Sequence, residues 1–168
     1  MGLGEVKKDN TMTIKAIALD LERTLITNVI SRQARPGLYD FLRFCQDNFE
    51  KAVIFTGTSG ETAQDLLLDL ARKNLIPADF PERTKIIDWE GDYKDLRFIT
   101  GFEPDEILIV DDFEEYILPE QKSQWIPIPR YDPAGENPWA LTEAKRPSED
   151  DPDNQLAIVK EILKQRLG

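Results

Sequence analysis

"IALDLERTLI", residues 17–26, decides how the chain is read. An apolar run of the kind that fills a central parallel strand ends at Asp20 and Glu22 and then resumes. A second run, "EILIVDD" at 106–112, stops in the same way at Asp111 and Asp112. Carboxylates placed where buried strands end mark the carboxyl ends of a parallel sheet, and in open α/β sheets that is where ligands sit.

Working outward, the pattern alternates strand with helix. Residues 14–20 predict the first strand, and "RPGLYDFLRFCQDNF" (35–49) a helix with Pro36 near its first turn and Leu38, Phe41, Leu42 and Cys45 on one face. "KAVIFTG" (51–57) reads as a second buried strand. "SGETAQDLLLDLARKNL" (59–75) reads as a helix N-capped by Ser59, with Leu66, Leu67 and Leu70 inward. After a turn at "IPADFPE" (76–82) come a third strand at "TKIIDW" (84–89) and a short helix at "YKDLRFITG" (93–101), closed by Gly101. The fourth strand is 106–112, and "WIPIPRY" (125–131), with two prolines, suits only a sheet edge. "EAKRPSEDDPDN" (143–154) reads as a solvated spacer and "NQLAIVKEILKQRL" (154–167) as a closing amphipathic helix. The expectation is an α/β fold with three layers and a mainly parallel sheet, formed by one domain over 14–168 behind a polar arm at 1–13.

Composition narrows the chemistry. A net charge of −11 disfavours nucleic-acid and anionic-membrane partners. With no histidine, Ser-His-Asp and Cys-His catalysis and His-ligated zinc are excluded. The single Cys45 lies among helix-spaced apolar residues and reads as a buried thiol. No apolar run reaches membrane-span length and no signal peptide is evident, so the expected location is cytoplasmic. Nothing in the sequence sets an oligomeric state.

Asp20, Glu22, Asp111 and Asp112 in one crevice would repel strongly. A divalent cation on oxygen ligands relieves this, and Mg²⁺ suits a few carboxylates, waters and a phosphate. Thr56, with the flexible Gly57 after it, offers a hydroxyl and backbone N–H groups, and Lys94 offers positive charge. These are the residue types of a metal-assisted phosphoryl-transfer site.

"DLERTL", "VIFTG", "YKDL" and "ILIVDD" resemble, in order, the four motifs of the haloacid dehalogenase (HAD) superfamily. "RPGLYDFL", a lysine directly before Asp-Leu, and "LIVDD" are similar to the NLI-interacting-factor-like (FCP/SCP-type) phosphatases, over about residues 14–131. The resemblance implies a Rossmann-like HAD fold and Mg²⁺-dependent phosphomonoester hydrolysis through an aspartyl phosphate. It implies Asp20 as nucleophile and metal ligand, and Glu22 as general acid and base, with its backbone carbonyl on the metal. Thr56, Gly57 and Lys94 would contact the phosphoryl group. Asp112 would ligate metal directly, with Asp111 a direct or water-mediated helper.

Two positions depart from the pattern. Glu22 stands where a second aspartate is usual, though enolase-phosphatases of the same superfamily also show Asp-x-Glu. Arg23 stands where a glycine or small residue is frequent, and is expected to pair with the surrounding acids. The segments between Asp20 and Thr56 and between the third strand and Lys94 are too short for a cap domain. An uncapped site favours a bulky phosphorylated substrate, phosphoproteins among them. The alternative from another class is a weak or inactive phosphate-binding module that keeps the fold. A receiver-type signalling domain fits less well, because its acid pair resembles an early feature and here the Asp111/Asp112 pair comes last.

Overall fold

The computed structural model describes residues 13–133 and 153–168. Five strands form one sheet: β1 (Ala16–Leu19), β2 (Lys51–Thr56), β3 (Lys85–Asp88), β4 (Ile107–Asp111) and β5 (Trp125–Pro127). Their spatial order is β3-β2-β1-β4-β5, every pair parallel. The α/β, Rossmann-like architecture read from the sequence is therefore present, with β1 at the centre and β5 at one edge. The proline-bearing run is a strand only over its first three residues.

The sheet's two faces differ. On the first face Ile17, Leu19, Ile54, Leu108 and Val110 pack against α1 (Leu38–Asn48), α2 (Gly60–Arg72), the short α3 (Phe80–Arg83) and α4 (Gln155–Leu167). The inward residues of α1 are Leu38, Phe41, Leu42 and Cys45, and those of α2 include Leu66, Leu67 and Leu70, as their spacing requires. The Ser59 hydroxyl caps α2 by accepting from Thr62 N–H at 3.2 Å. The closing helix α4 packs on this core through Leu156, Val159 and Leu163. Burial drives the Cys45 thiol pKa up, in keeping with a structural role.

On the second face Ala16, Ala18, Val53, Phe55, Ile107 and Ile109 meet Trp89, Leu96, Ile99 and Ile117. No α-helix covers this face among the described residues. Its cover is loop and 3-10 turn, at Leu96–Phe98, Glu114–Tyr116 and Pro119–Gln124. The third layer is thus made of irregular backbone.

Three expectations need correction. "YKDLRFITG" is not a helix: Lys94 and Asp95 are outside any helix, and only Leu96–Phe98 forms a 3-10 turn. The Asp95 carboxylate explains this, accepting from Arg97 N–H at 2.9 Å and so capping a turn instead of letting a helix start earlier. α1 begins at Leu38, because Gly37 is left-handed at φ 83° and leaves Pro36 outside the helix. The turn at 76–82 contains the start of α3, with Pro81 in its first turn.

Residues 1–12 of the polar arm and 143–152 of the charged spacer fall outside the described residues, but Asp153 near the spacer's end does not. It forms a buried ion pair with Arg35, at 2.9 and 3.0 Å, and is not solvated. No described helix is long and apolar enough to cross a membrane. No cap domain is inserted between β1 and β2 or between β3 and Lys94.

Candidate active site

The register of the sheet builds the site. Leu19 pairs with Ile54 on β2 and with Val110 on β4, and Asp20 N–H continues the ladder to the Val110 carbonyl at 3.0 Å. Asp20 is therefore level with Asp111, one residue past the last pairing. Side chains in register on parallel strands share a face, and Asp20 and Asp111 follow Ala18 and Ile109 onto the loop-covered one. From that layer Lys94 reaches in. Its Nζ donates to Asp20 Oδ1 at 2.8 Å and to Asp111 Oδ2 at 2.6 Å.

Lys94 is almost wholly buried, and its ammonium lies 5.8 Å from the Trp89 ring and 5.4 Å from the Tyr116 ring. Burial alone would lower its pKa; attraction to Asp20 and Asp111 outweighs that and raises it. Its backbone N–H donates to the Tyr116 carbonyl at 2.8 Å. The buried Gln121 amide fixes the next residues, accepting from Leu96 N–H at 3.0 Å and donating to Asp95 Oδ1 at 3.0 Å.

Asp20, Asp111 and Asp112 each offer an oxygen within 4.8 Å of the others. Burial, with the charge of Asp20 next, pushes the Asp111 carboxyl up to about 7 despite Lys94. The same causes push Asp112 up to about 6 against the pull of Arg130. Two carboxyls so reluctant to ionise mark a site short of positive charge, and an all-oxygen donor set of this kind fits a hard divalent cation. Glu22's carboxylate does not join the cluster.

A pocket of about 410 Å³ opens over these groups, lined by Asp20, Glu22, Thr56, Gly57, Lys94 and Asp112. Six of the seven expected site residues thus share one cavity. Asp111 does not line it; fully buried, it lies beside Lys94 as the ammonium's anchor. Thr56 ends β2, and its hydroxyl accepts from Thr58 N–H at 3.0 Å. Glu22 is held by two donors, Val29 N–H at 3.1 Å and the Thr58 hydroxyl at 3.4 Å.

Arg23 departs from expectation. Among the described residues no acid pairs with its guanidinium, which donates to the Thr27 carbonyl. The backbone explains it: Arg23 has φ 65°, the left-handed region that favours glycine. It is pinned there by N–H donation to Ile26 O at 2.7 Å and by Tyr131 N–H donating to its own carbonyl at 2.7 Å.

Four contributors escaped the sequence reading. Thr24 donates to Asp20 Oδ2 at 2.8 Å and lies 3.3 Å from Asp112 Oδ1. A tight turn with Leu25 N–H on Leu21 O brings this fourth residue after Asp20 back to it. Arg35, wholly buried, donates to Thr24 O at 3.0 Å and Pro129 O at 2.7 Å besides its pair with Asp153. Arg130 donates from Nε to Asp112 Oδ2 at 3.2 Å and lines the pocket. An aromatic wall completes it, with Tyr116 edge-on to Trp89 and to Phe113. None of these last three has a local motif. Trp125 and Tyr131 form a packed edge: the Trp125 indole donates to Asp111 O at 3.0 Å, and Tyr131 is buried.

No curated protein matches the chain. A family model does, that of the NLI interacting factor-like phosphatases, over residues 15–166. With the parallel sheet, the acidic cluster at its carboxyl edge and nearly the whole length matched, the chain belongs to the NLI interacting factor-like phosphatase family, within the HAD superfamily.

Proposed function

We propose that the protein hydrolyses phosphomonoesters through an aspartyl phosphate on Asp20, with Mg²⁺ as the cation that the oxygen donors favour. The observation that carries this reading is Asp20 itself. It lies at the end of the central strand and in the pocket, and among the described residues each oxygen is oriented by one donor, Lys94 or Thr24, which leaves a second lone pair on each to react or to bind.

The Asp20 carboxylate attacks phosphorus in line as the ester P–O bond breaks, and Glu22 gives its proton to the departing oxygen. Glu22 then takes a proton from water, which attacks the phosphoaspartate, releases inorganic phosphate and restores Asp20. Oε1 of Glu22, on the long 3.4 Å contact, is the freer oxygen for that proton traffic. Thr56 and the Gly57 backbone N–H hold phosphoryl oxygens, and Lys94 balances the charge of Asp20 throughout. Asp20, Asp112 and the Glu22 carbonyl would hold the cation, with Asp111 assisting; when bound, it neutralises charge on the transferring group. The uncapped mouth suits a phosphate carried on a protein.

Hydrolysis of an aryl phosphate by the wild type and by Asp20→Asn, each with Mg²⁺ and with chelator, tests this. Turnover is expected to need both, and to fall by more than about 10³-fold in the variant. Glu22→Gln shows whether the longer acid carries the proton. The anchoring of Glu22 to Val29 N–H favours the second reading, a phosphate-binding module. Phosphate binding without turnover in the wild type would establish that one instead.

A further inference from the structure

Arg130 follows β5, and its backbone neighbours are fixed on both sides. Pro129 O accepts from Arg35, and Tyr131 N–H donates to Arg23 O. Its side chain is held far more loosely. The guanidinium is about a quarter exposed and, among the described residues, makes one polar contact, from Nε to Asp112 Oδ2 at 3.2 Å. Among the described residues its terminal NH₂ groups donate to nothing. A rigid base carrying a loosely held cation in the wall of a pocket is built for a side chain that moves.

Charge says where it moves. Three carboxyl groups, Asp20, Asp111 and Asp112, face one buried ammonium, Lys94, so that ionising all three leaves two negative charges. Arg130 cancels one of them in the protein as it stands. A divalent cation cancels both, and makes the guanidinium surplus at Asp112. A phosphate dianion entering the same pocket then restores the demand for it.

We propose that Arg130 exchanges partners: it holds Asp112 in the metal-free protein and, once a divalent cation takes that carboxylate, turns its free NH₂ groups to an oxygen of the substrate's phosphoryl group. The inference rests on the metal-dependent phosphatase reading above. It makes Arg130 a brake on metal entry and a clamp on phosphate, so that metal and phosphate bind with positive coupling through one side chain. Rotation of the side chain suffices, because the backbone on either side stays bonded.

Calorimetric titration of Mg²⁺ into the wild type and Arg130→Gln, without and with saturating inorganic phosphate, tests it. Without phosphate the variant is expected to bind Mg²⁺ about two- to fivefold more tightly, the scale of a partly exposed ion pair. With phosphate the order is expected to reverse, the variant binding Mg²⁺ about three- to tenfold more weakly, because linkage returns to the metal what the phosphate loses. The crossing of sign is the test. Tighter binding under both conditions would mean that removing a nearby positive charge explains everything, and would overturn the exchange. Equal affinities would overturn it too, while leaving the phosphatase reading intact. Failure of either protein to bind Mg²⁺ under any condition would overturn both.

Discussion

The two faces of the sheet carry comparable strands and opposite covers. One is roofed by four helices whose apolar stripes interlock into an aliphatic core of Leu, Ile, Phe and Val side chains. The other is roofed by loops and 3-10 turns with a smaller cluster, in which Trp89, Phe55 and Leu96 are prominent. Lys94 comes from the second roof, as does the Tyr116 carbonyl that fixes it. A helix delivers side chains at fixed angular steps, whereas an irregular segment can hand a single ammonium between two strand ends. The helical face supplies stability, and the loop face supplies position.

Substitutions can break or sharpen that division. The largest loss of stability is expected at Arg35→Met, where the turn after β1, the segment after β5 and the start of α4 are tied together. It strands Asp153 and the carbonyls of Thr24 and Pro129, and should lower unfolding free energy by about 3–5 kcal/mol in denaturant titrations. Leu67→Ala, in the helical core, should cost about 2–4 kcal/mol, with turnover of the remaining folded protein unchanged. A drop in its turnover would show that the helical face reaches the chemistry.

Gln121→Leu belongs to the loop face. Orphaning the buried Leu96 N–H should cost about 1–3 kcal/mol, and loosening Lys94 should also reduce turnover about tenfold. Stability loss alone would mean that Lys94 is positioned by its carboxylates and not by its backbone.

The smallest effect is a pH effect. Hydrogen bonds from the Arg97 side chain, with those from Arg97 N–H and Gln121 helping, hold the Asp95 carboxyl at about 2, below its ordinary 3.8. The stability this brings is present above the unfolded value and is lost as pH falls from there toward 2. Asp95→Asn should flatten that part of the acid limb by about 1 kcal/mol or less, in thermal melts between pH 5 and 2.

The same contrast explains what the sequence made legible. α1 and α2 announced themselves because burial at a 3.6-residue period leaves a stripe, and β1 and β4 because apolar runs stop at carboxylates. Asp20, Glu22, Thr56, Gly57, Lys94, Asp111 and Asp112 stood at or beside strand ends, where topology makes spacing informative. The 93–101 segment was misread as a helix because its apolar residues share helical spacing, while the Asp95 cap and the Gln121 clamp that prevent one involve a residue 26 positions away. Arg35 and Arg130 stayed invisible for a related reason. A buried or pocket-lining arginine has no periodic signature, and its partners are 118 and 18 residues away.

The Arg35–Asp153 pair also orders events in time. A chain made from its amino terminus completes β1, the Thr24 turn and β4 well before residue 153 is joined. Until then the guanidinium that holds Thr24 O, and through that turn supports Asp20, lacks its carboxylate partner. The ion pair behind the Asp20 turn is therefore among the last contacts open to a chain emerging from its amino terminus.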